Sequence, residues 1–120
     1  MAELFHIEEE GATRVLALTL PAAIDADVFD KLNESVTTAV AGHAHAQWVL
    51  DLTDVVYMGS SVLGLMVNVR QTIKSAGGKL VLCGMSERLT RVFHACCMER
   101  LFTITRSRAE AMKVVGRAKF

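Results

Sequence analysis

The residues best able to do chemistry lie in one short run, Tyr57-Met58-Gly59-Ser60-Ser61-Val62-Leu63-Gly64. It follows an apolar stretch ending at Leu52. It also opens a series, Val62, Leu65, Met66, Val69 and Ile73, whose i, i+3, i+4, i+7, i+11 spacing predicts an amphipathic helix. Two hydroxyls therefore stand where a strand gives way to a helix, on the edge where open α/β sheets gather their ligands. The first N–H groups of a helix lack intrahelical partners, and the helix dipole adds about half a positive charge there. A phosphate on Ser60 or Ser61 would be stabilised at that end. Serine is also a favoured N-cap, and on local sequence alone capping is the plainer reading. The two roles make different demands. A cap can be replaced by Thr, Asp or Asn, whereas a phosphoacceptor must be exposed and changes its charge by about −2 when modified.

Other reactive groups form no such arrangement. His43-Ala44-His45 has metal-like spacing but no third ligand nearby in sequence. His94 falls beside Phe93 on a predicted helix, as an edge residue. Three cysteines is an odd number, and the adjacent pair Cys96-Cys97 suits neither a disulfide framework nor a Cys-x-x-Cys site, so reduced thiols are expected. Arg91 and Arg100 could lower a thiol pKa there, yet packing is the favoured role for the pair. The chain has no Walker loop, no Gly-x-Ser-x-Gly elbow and no nucleophile–base pattern. No catalytic residue, metal or cofactor is expected, which favours a binding protein over an enzyme.

The positioning elements follow from periodicity. Residues 3–9 and 13–20 read as a hairpin about Glu10-Gly11, stopped by Pro21, with Asp25 as the N-cap of a helix carrying Val28, Leu32, Val36 and Val40 up to Gly42. Runs 47–52 and 79–83 read as strands covered on both faces, joined through the helix above, with Gly77-Gly78 supplying a left-handed helix end. Ser86 caps a third helix through Leu89, Val92, Phe93 and Cys96. A brief strand over Leu101–Thr105 and a helix from Ser107, with Ala111, Met112 and Val115, complete the pattern. The order β-β-α-β-α-β-α-β-α predicts an α/β fold, a mixed and mostly parallel sheet covered by about four α-helices.

Length and charge narrow the functional classes. At 120 residues and 52% hydrophobic the chain fits one domain, 1–120, with a substantial core. Thirteen basic residues balance thirteen acidic ones, so no global field draws it to nucleic acid or anionic lipid. Charge is uneven at the ends: Glu3, Glu8, Glu9 and Glu10 open the chain, and Arg106, Arg108, Lys113, Arg117 and Lys119 against Glu110 close it. Solvated faces account for this, since no aromatics interleave to stack bases. The longest uncharged runs, Ser35–Leu50 and Val55–Val69, contain polar residues and predict no membrane span. The opening residues from Met1 lack a basic, apolar leader, so a cytoplasmic protein is expected.

The run around Ser60 resembles the signature of STAS domains in bacterial anti-sigma factor antagonists, roughly aromatic-hydrophobic-Asp-Ser-Ser/Thr-Gly-Leu-Gly. The resemblance extends along the chain. A family Gly-Glu-Leu-Asp lies over Ala22-Ala23-Ile24-Asp25, a Gly-Gly over Gly77-Gly78, and a late Leu-Phe over Leu101-Phe102. It implies a partner, an anti-sigma factor with serine kinase activity, that phosphorylates Ser60, or less readily Ser61. It also implies a partner surface of Asp25, Tyr57, Met58, Gly59, Ser61 and Val62 with the exposed side of the second helix. Two departures stand in the motif itself: the family aspartate is Gly59, which removes a carboxylate beside the phosphoacceptor, and the glycine after the serines is Val62. The same fold also serves as a STAS subunit of lipid-transport ABC complexes and in stressosome-type scaffolds. A small-ligand or nucleotide-binding α/β domain could use the same helix end. A homodimer is compatible with all of these.

Overall fold

In the computed structural model, which describes residues 4–120, five strands form one sheet in the order β1-β2-β3-β4-β5. β1 (Phe5–Glu10) pairs antiparallel with β2 (Thr13–Leu20), and β3 (Gln47–Val55), β4 (Lys79–Cys83) and β5 (Thr103–Ile104) follow in parallel. The expected mixed, mostly parallel sheet is what forms. Met1, Ala2 and Glu3, and with them the expected start of the first strand at Glu3 and the leader region, lie outside the described residues. Gly11, at φ +61, makes the hairpin turn.

Strict alternation along the strands divides the sheet into two faces. Leu16, Leu18 and Leu20 of β2, Trp48, Leu50 and Leu52 of β3, and Leu80 and Leu82 of β4 point to the first face. There they meet α1 (Ala26–Ala41) through Leu32, Val36 and Val40, α2 (Ser60–Ser75) through Val62, Leu65, Met66, Val69 and Ile73, and α3 (Glu87–Ala95) through Leu89 and Phe93. Each large apolar side chain fully removed from water contributes about 1.5–3 kcal/mol, so this face dominates the stability. The opposite face carries a smaller cluster, Val15, Val49, Val81 and Cys83, covered by Ala111 of α4 (Arg108–Val114) and by Val115 in the 3₁₀ turn that follows.

The N-caps expected at Asp25 and Ser86 are in place, and Ser107, expected to open its helix, caps it as well. Asp25 accepts from the N–H of Asp27 at 2.9 Å, Ser86 from Leu89 and Ser107 from Glu110, both at 3.1 Å. Gly77 takes φ +74 just past α2, where it also lies against the His45 ring. Three elements differ from expectation. β5 spans Thr103–Ile104 against the expected Leu101–Thr105, because a 3₁₀ turn over Met98–Arg100, closed by Leu101, precedes it. β3 runs on to Val55 through a register shift between Asp51 and Asp54, a bulge that a polar Thr53-Asp54 pair conceals in the sequence. α3 stops at Ala95, so Cys96 and Cys97 are exposed and Cys97 takes φ +56. The packing role expected of that pair is corrected: both lie past the helix, where no core face reaches them.

Candidate functional site

β3 leads into the segment Val56–Gly59, and α2 begins at Ser60. The N-cap position belongs to Gly59, whose φ of −90 and ψ of −175 are ordinary extended values, and it offers no side chain to the helix. Capping by a serine is therefore excluded. Ser60 and Ser61 are the first two residues of the helix, both exposed. The first intrahelical bond runs from the Leu63 N–H to the Gly59 carbonyl at 3.0 Å. That leaves the amides of Ser60, Ser61 and Val62 at the positive end of a 16-residue helix with no cap side chain accepting from them.

The two helix N-termini on this edge differ in charge. At α1 the Asp25 carboxylate occupies the positive end, whereas at α2 the end is open. Between them lies an open groove of about 430 Å³, walled by Pro21, Ile24, Phe29 and Asp30 on one side and by Tyr57, Gly59, Ser60 and Ser61 on the other. Tyr57 is half exposed and its ring covers the Gly59 backbone: a Cβ at position 59 would stand 3.1 Å from Tyr57 Cε2. The tyrosine ring thus occupies space beside the atom from which the family's aspartate would project. A carboxylate placed there would have to move the ring by a few tenths of an ångström.

The predicted surface residues divide into two sets. Tyr57, Ser60, Ser61 and Asp25 reach solvent, and Gly59 is partly covered. Met58 and Val62, expected at the partner surface, are only 2% and 7% exposed and belong to the core, although Val62 also lines the groove. Ser60 stays exposed beside the extra bulk of Val62. Sequence reading missed Phe29 and Asp30, one turn into α1. They join the site because the crossover brings α1 alongside α2, which no local signal reveals.

Away from the groove, the other reactive residues are held in local contacts. The His43 ring tilts against Trp48 with centroids 6.1 Å apart, and His94 Nδ1 lies 3.4 Å from Glu99 Oε1. Among the described residues no group of three or more His, Cys, Asp or Glu could hold a metal ion, and no helix is long and apolar enough to cross a membrane.

A family model for the STAS domain matches residues 6–111. The chain belongs to the STAS domain family. Among its relatives, the anti-sigma-B factor antagonist of Listeria monocytogenes is 31% identical over 88 residues, covering 73% of this chain and 68% of that protein. A STAS domain protein from Planctomyces limnophilus superposes with a TM-score of 0.80 at 20% identity, over 93% of this chain and 97% of that one. The phosphorylated form of the Bacillus cell fate determinant SpoIIAA superposes with a TM-score of 0.65 at 20% identity, over 92% and 98% of the two chains. The latter two likenesses establish the fold and the order of elements that carry the groove.

Proposed function

We propose that this STAS domain is an anti-sigma factor antagonist whose binding is switched by phosphorylation of Ser60. The observation that carries the reading is the position of that hydroxyl: exposed, first in α2, beside an uncapped helix end and a groove. In the proposed cycle the dephosphorylated protein binds an anti-sigma factor through the Asp25 loop, Tyr57, Ser60, Ser61 and the outer side of α2, and the sequestered anti-sigma factor releases its sigma factor. The partner, also a serine kinase, transfers the γ-phosphoryl group of ATP to Ser60 Oγ and releases ADP. The chain is then a kinase substrate rather than a catalyst, working in the cytoplasm where sigma factors work.

Electrostatics account for both directions of the switch. Within the free protein, phosphate at the first turn is favoured by about 0.3–1 kcal/mol through the helix dipole and free amides. At the interface the same group brings about two negative charges onto a surface that must be desolvated, so binding weakens. Gly59 fits this scheme, since it places no carboxylate next in sequence to the phosphoacceptor. The relatives supply consistent context: the Listeria protein is an antagonist by name, and SpoIIAA exists in a phosphorylated form. A pull-down against an anti-sigma factor with serine kinase activity from the same organism tests the reading. Ser60→Ala retains binding and Ser60→Asp loses most of it, whereas equal binding by both removes Ser60 from the switch.

A further inference from the structure

Opposite the helices that build the groove, the second face of the sheet carries a smaller apolar cluster, in which Met112, Val114 and Ala118 are only partly buried. α4 has seven residues, of which only Ala111 is buried, and Val115 follows in the next turn. A helix this short is not stable by itself, so contacts to the sheet must hold it. The largest polar contact is Arg108, its first residue. Arg108 Nε and Nη2 donate to Asp51 Oδ2 at 3.1 and 2.9 Å, Nη1 donates to Glu8 Oε2 at 2.7 Å, and Glu10 stands 3.8 Å away. One guanidinium therefore ties α4 to the central strand and to the edge strand.

Asp51 is built to receive it. Its side chain is 10% exposed, and its other oxygen accepts from Thr53 N at 2.9 Å and Thr53 Oγ1 at 2.6 Å. Gly84, at φ +78, lets the turn after β4 pass close: a Cβ there would lie 2.8 Å from Asp51 Oδ1. In sheet register Asp51 stands beside Cys83, a fully buried thiol in the cluster that Ala111 and Val115 cover. On the other side of the connection, Thr105 is fixed, its N and Oγ1 both 2.9 Å from the Leu82 carbonyl, while Arg106 and Ser107 are exposed. The far end is held by the surface bond from Lys79 Nζ to the Gly116 carbonyl and by Arg70 over the Phe120 ring.

We propose that α4 is a clasp that opens as a unit about Arg106-Ser107: the Arg108 grip on Asp51, Glu8 and Glu10 keeps it shut, and release uncovers Cys83 and the Val15–Val49–Val81 row while the first face stays folded. The proposal is independent of Ser60 and stands or falls separately from the antagonist reading. Cys83 provides the readout. Closed, the thiol is unreactive, because burial, with Asp51 adding to it, pushes its pKa up to about 12. Open, it meets solvent as an ordinary thiol.

The experiment uses the full chain with Cys96→Ser and Cys97→Ser, leaving Cys83 to attack an aromatic disulfide reagent, form a mixed disulfide and release a coloured thiolate. Arg108→Gln should accelerate labelling at least about tenfold, because it removes several charge-assisted bonds at once. Val36→Ala, which creates a cavity on the first face, is the control for labelling through global unfolding. A much larger acceleration in Arg108→Gln than in Val36→Ala, with the helical circular dichroism retained, supports the clasp. Equal acceleration in the two, or none in Arg108→Gln, overturns it. Should Arg108→Gln fail to fold, Glu8→Gln, which leaves the Asp51 bonds intact, is judged against Val36→Ala by the same criterion.

Discussion

The two faces of the sheet are held by different physics. On the first, three helices press Leu, Val, Ile, Met and Phe side chains onto alternate residues of β2, β3 and β4. On the second, the neighbouring residues of those same strands meet Ala111 of one short helix and Val115 of the turn after it, with Met112, Val114 and Ala118 packed partly buried around them, and an arginine completes the attachment. Apolar packing is non-directional and insensitive to pH, whereas the Arg108 grip is directional and depends on ionised carboxylates. Ser60 sits at the rim of the first face, on a helix with five buried side chains, so its hydroxyl is presented on a rigid platform. The proposed clasp lies on the other side.

Substitutions in each face sharpen that contrast. The largest loss should come from the first face: Leu65→Ala, at 1% exposure, costs about 2–5 kcal/mol in urea denaturation through the cavity it leaves. Arg108→Gln should cost less, about 1–3 kcal/mol, because the guanidinium is itself about a third exposed, though Asp51 is left without its cation. An Arg108 effect larger than that of Leu65 would reverse the ranking of the two faces.

The next test is pH. Burial works against the Asp51 carboxylate, but the Thr53 and Arg108 bonds outweigh it and hold its pKa below the usual aspartate range; Glu8 is lowered chiefly by its bond from Arg108. A depressed folded pKa gives stability that is present above the unfolded value, about 3.9 for aspartate, and lost as pH falls through the folded value. Cys83 acts in the opposite sense. Its raised pKa gives stability below the unfolded value of about 8.5 that is lost as pH climbs toward the folded one. The second face therefore weakens at both extremes. Asp51→Asn should flatten the acid limb of a stability–pH profile and Cys83→Ala the alkaline limb, while Leu65→Ala shifts the whole profile down without changing its shape. A profile whose limbs survive both changes would place the titration elsewhere.

The smallest effect is expected at Gly59. Its backbone angles suit any residue, so Gly59→Asp adds a cap carboxylate worth a few tenths of a kcal/mol, with the Tyr57 ring displaced. A loss above about 1 kcal/mol would show that the ring cannot yield.

How much of this the sequence disclosed follows from which signals are local. Alternation in β2 and helical spacing in α2 mark their elements because burial on one side imposes a period, and Asp25, Ser86 and Ser107 mark helix starts because free amides need an acceptor. Ser60 is legible as a helix-opening residue by its place between strand and helix. That Gly59 holds the cap position was hidden, since two serines beside it are the better cappers. Asp51 stands in an otherwise apolar strand with no local sign of its partner, which is 57 residues away and is fixed by the crossovers. The other wall of the groove, Phe29 and Asp30, depends on how α1 meets α2 and left no mark of its own.

In the proposed switch the exposed hydroxyl opening α2 accepts a phosphoryl group. Incubation of the full chain with its cognate anti-sigma kinase and ATP, followed by intact mass and fragment mapping, tests it most directly. One added phosphoryl group on Ser60, absent in Ser60→Ala, is expected. An unmodified chain, or a phosphate on a residue outside Ser60 and Ser61, would contradict it.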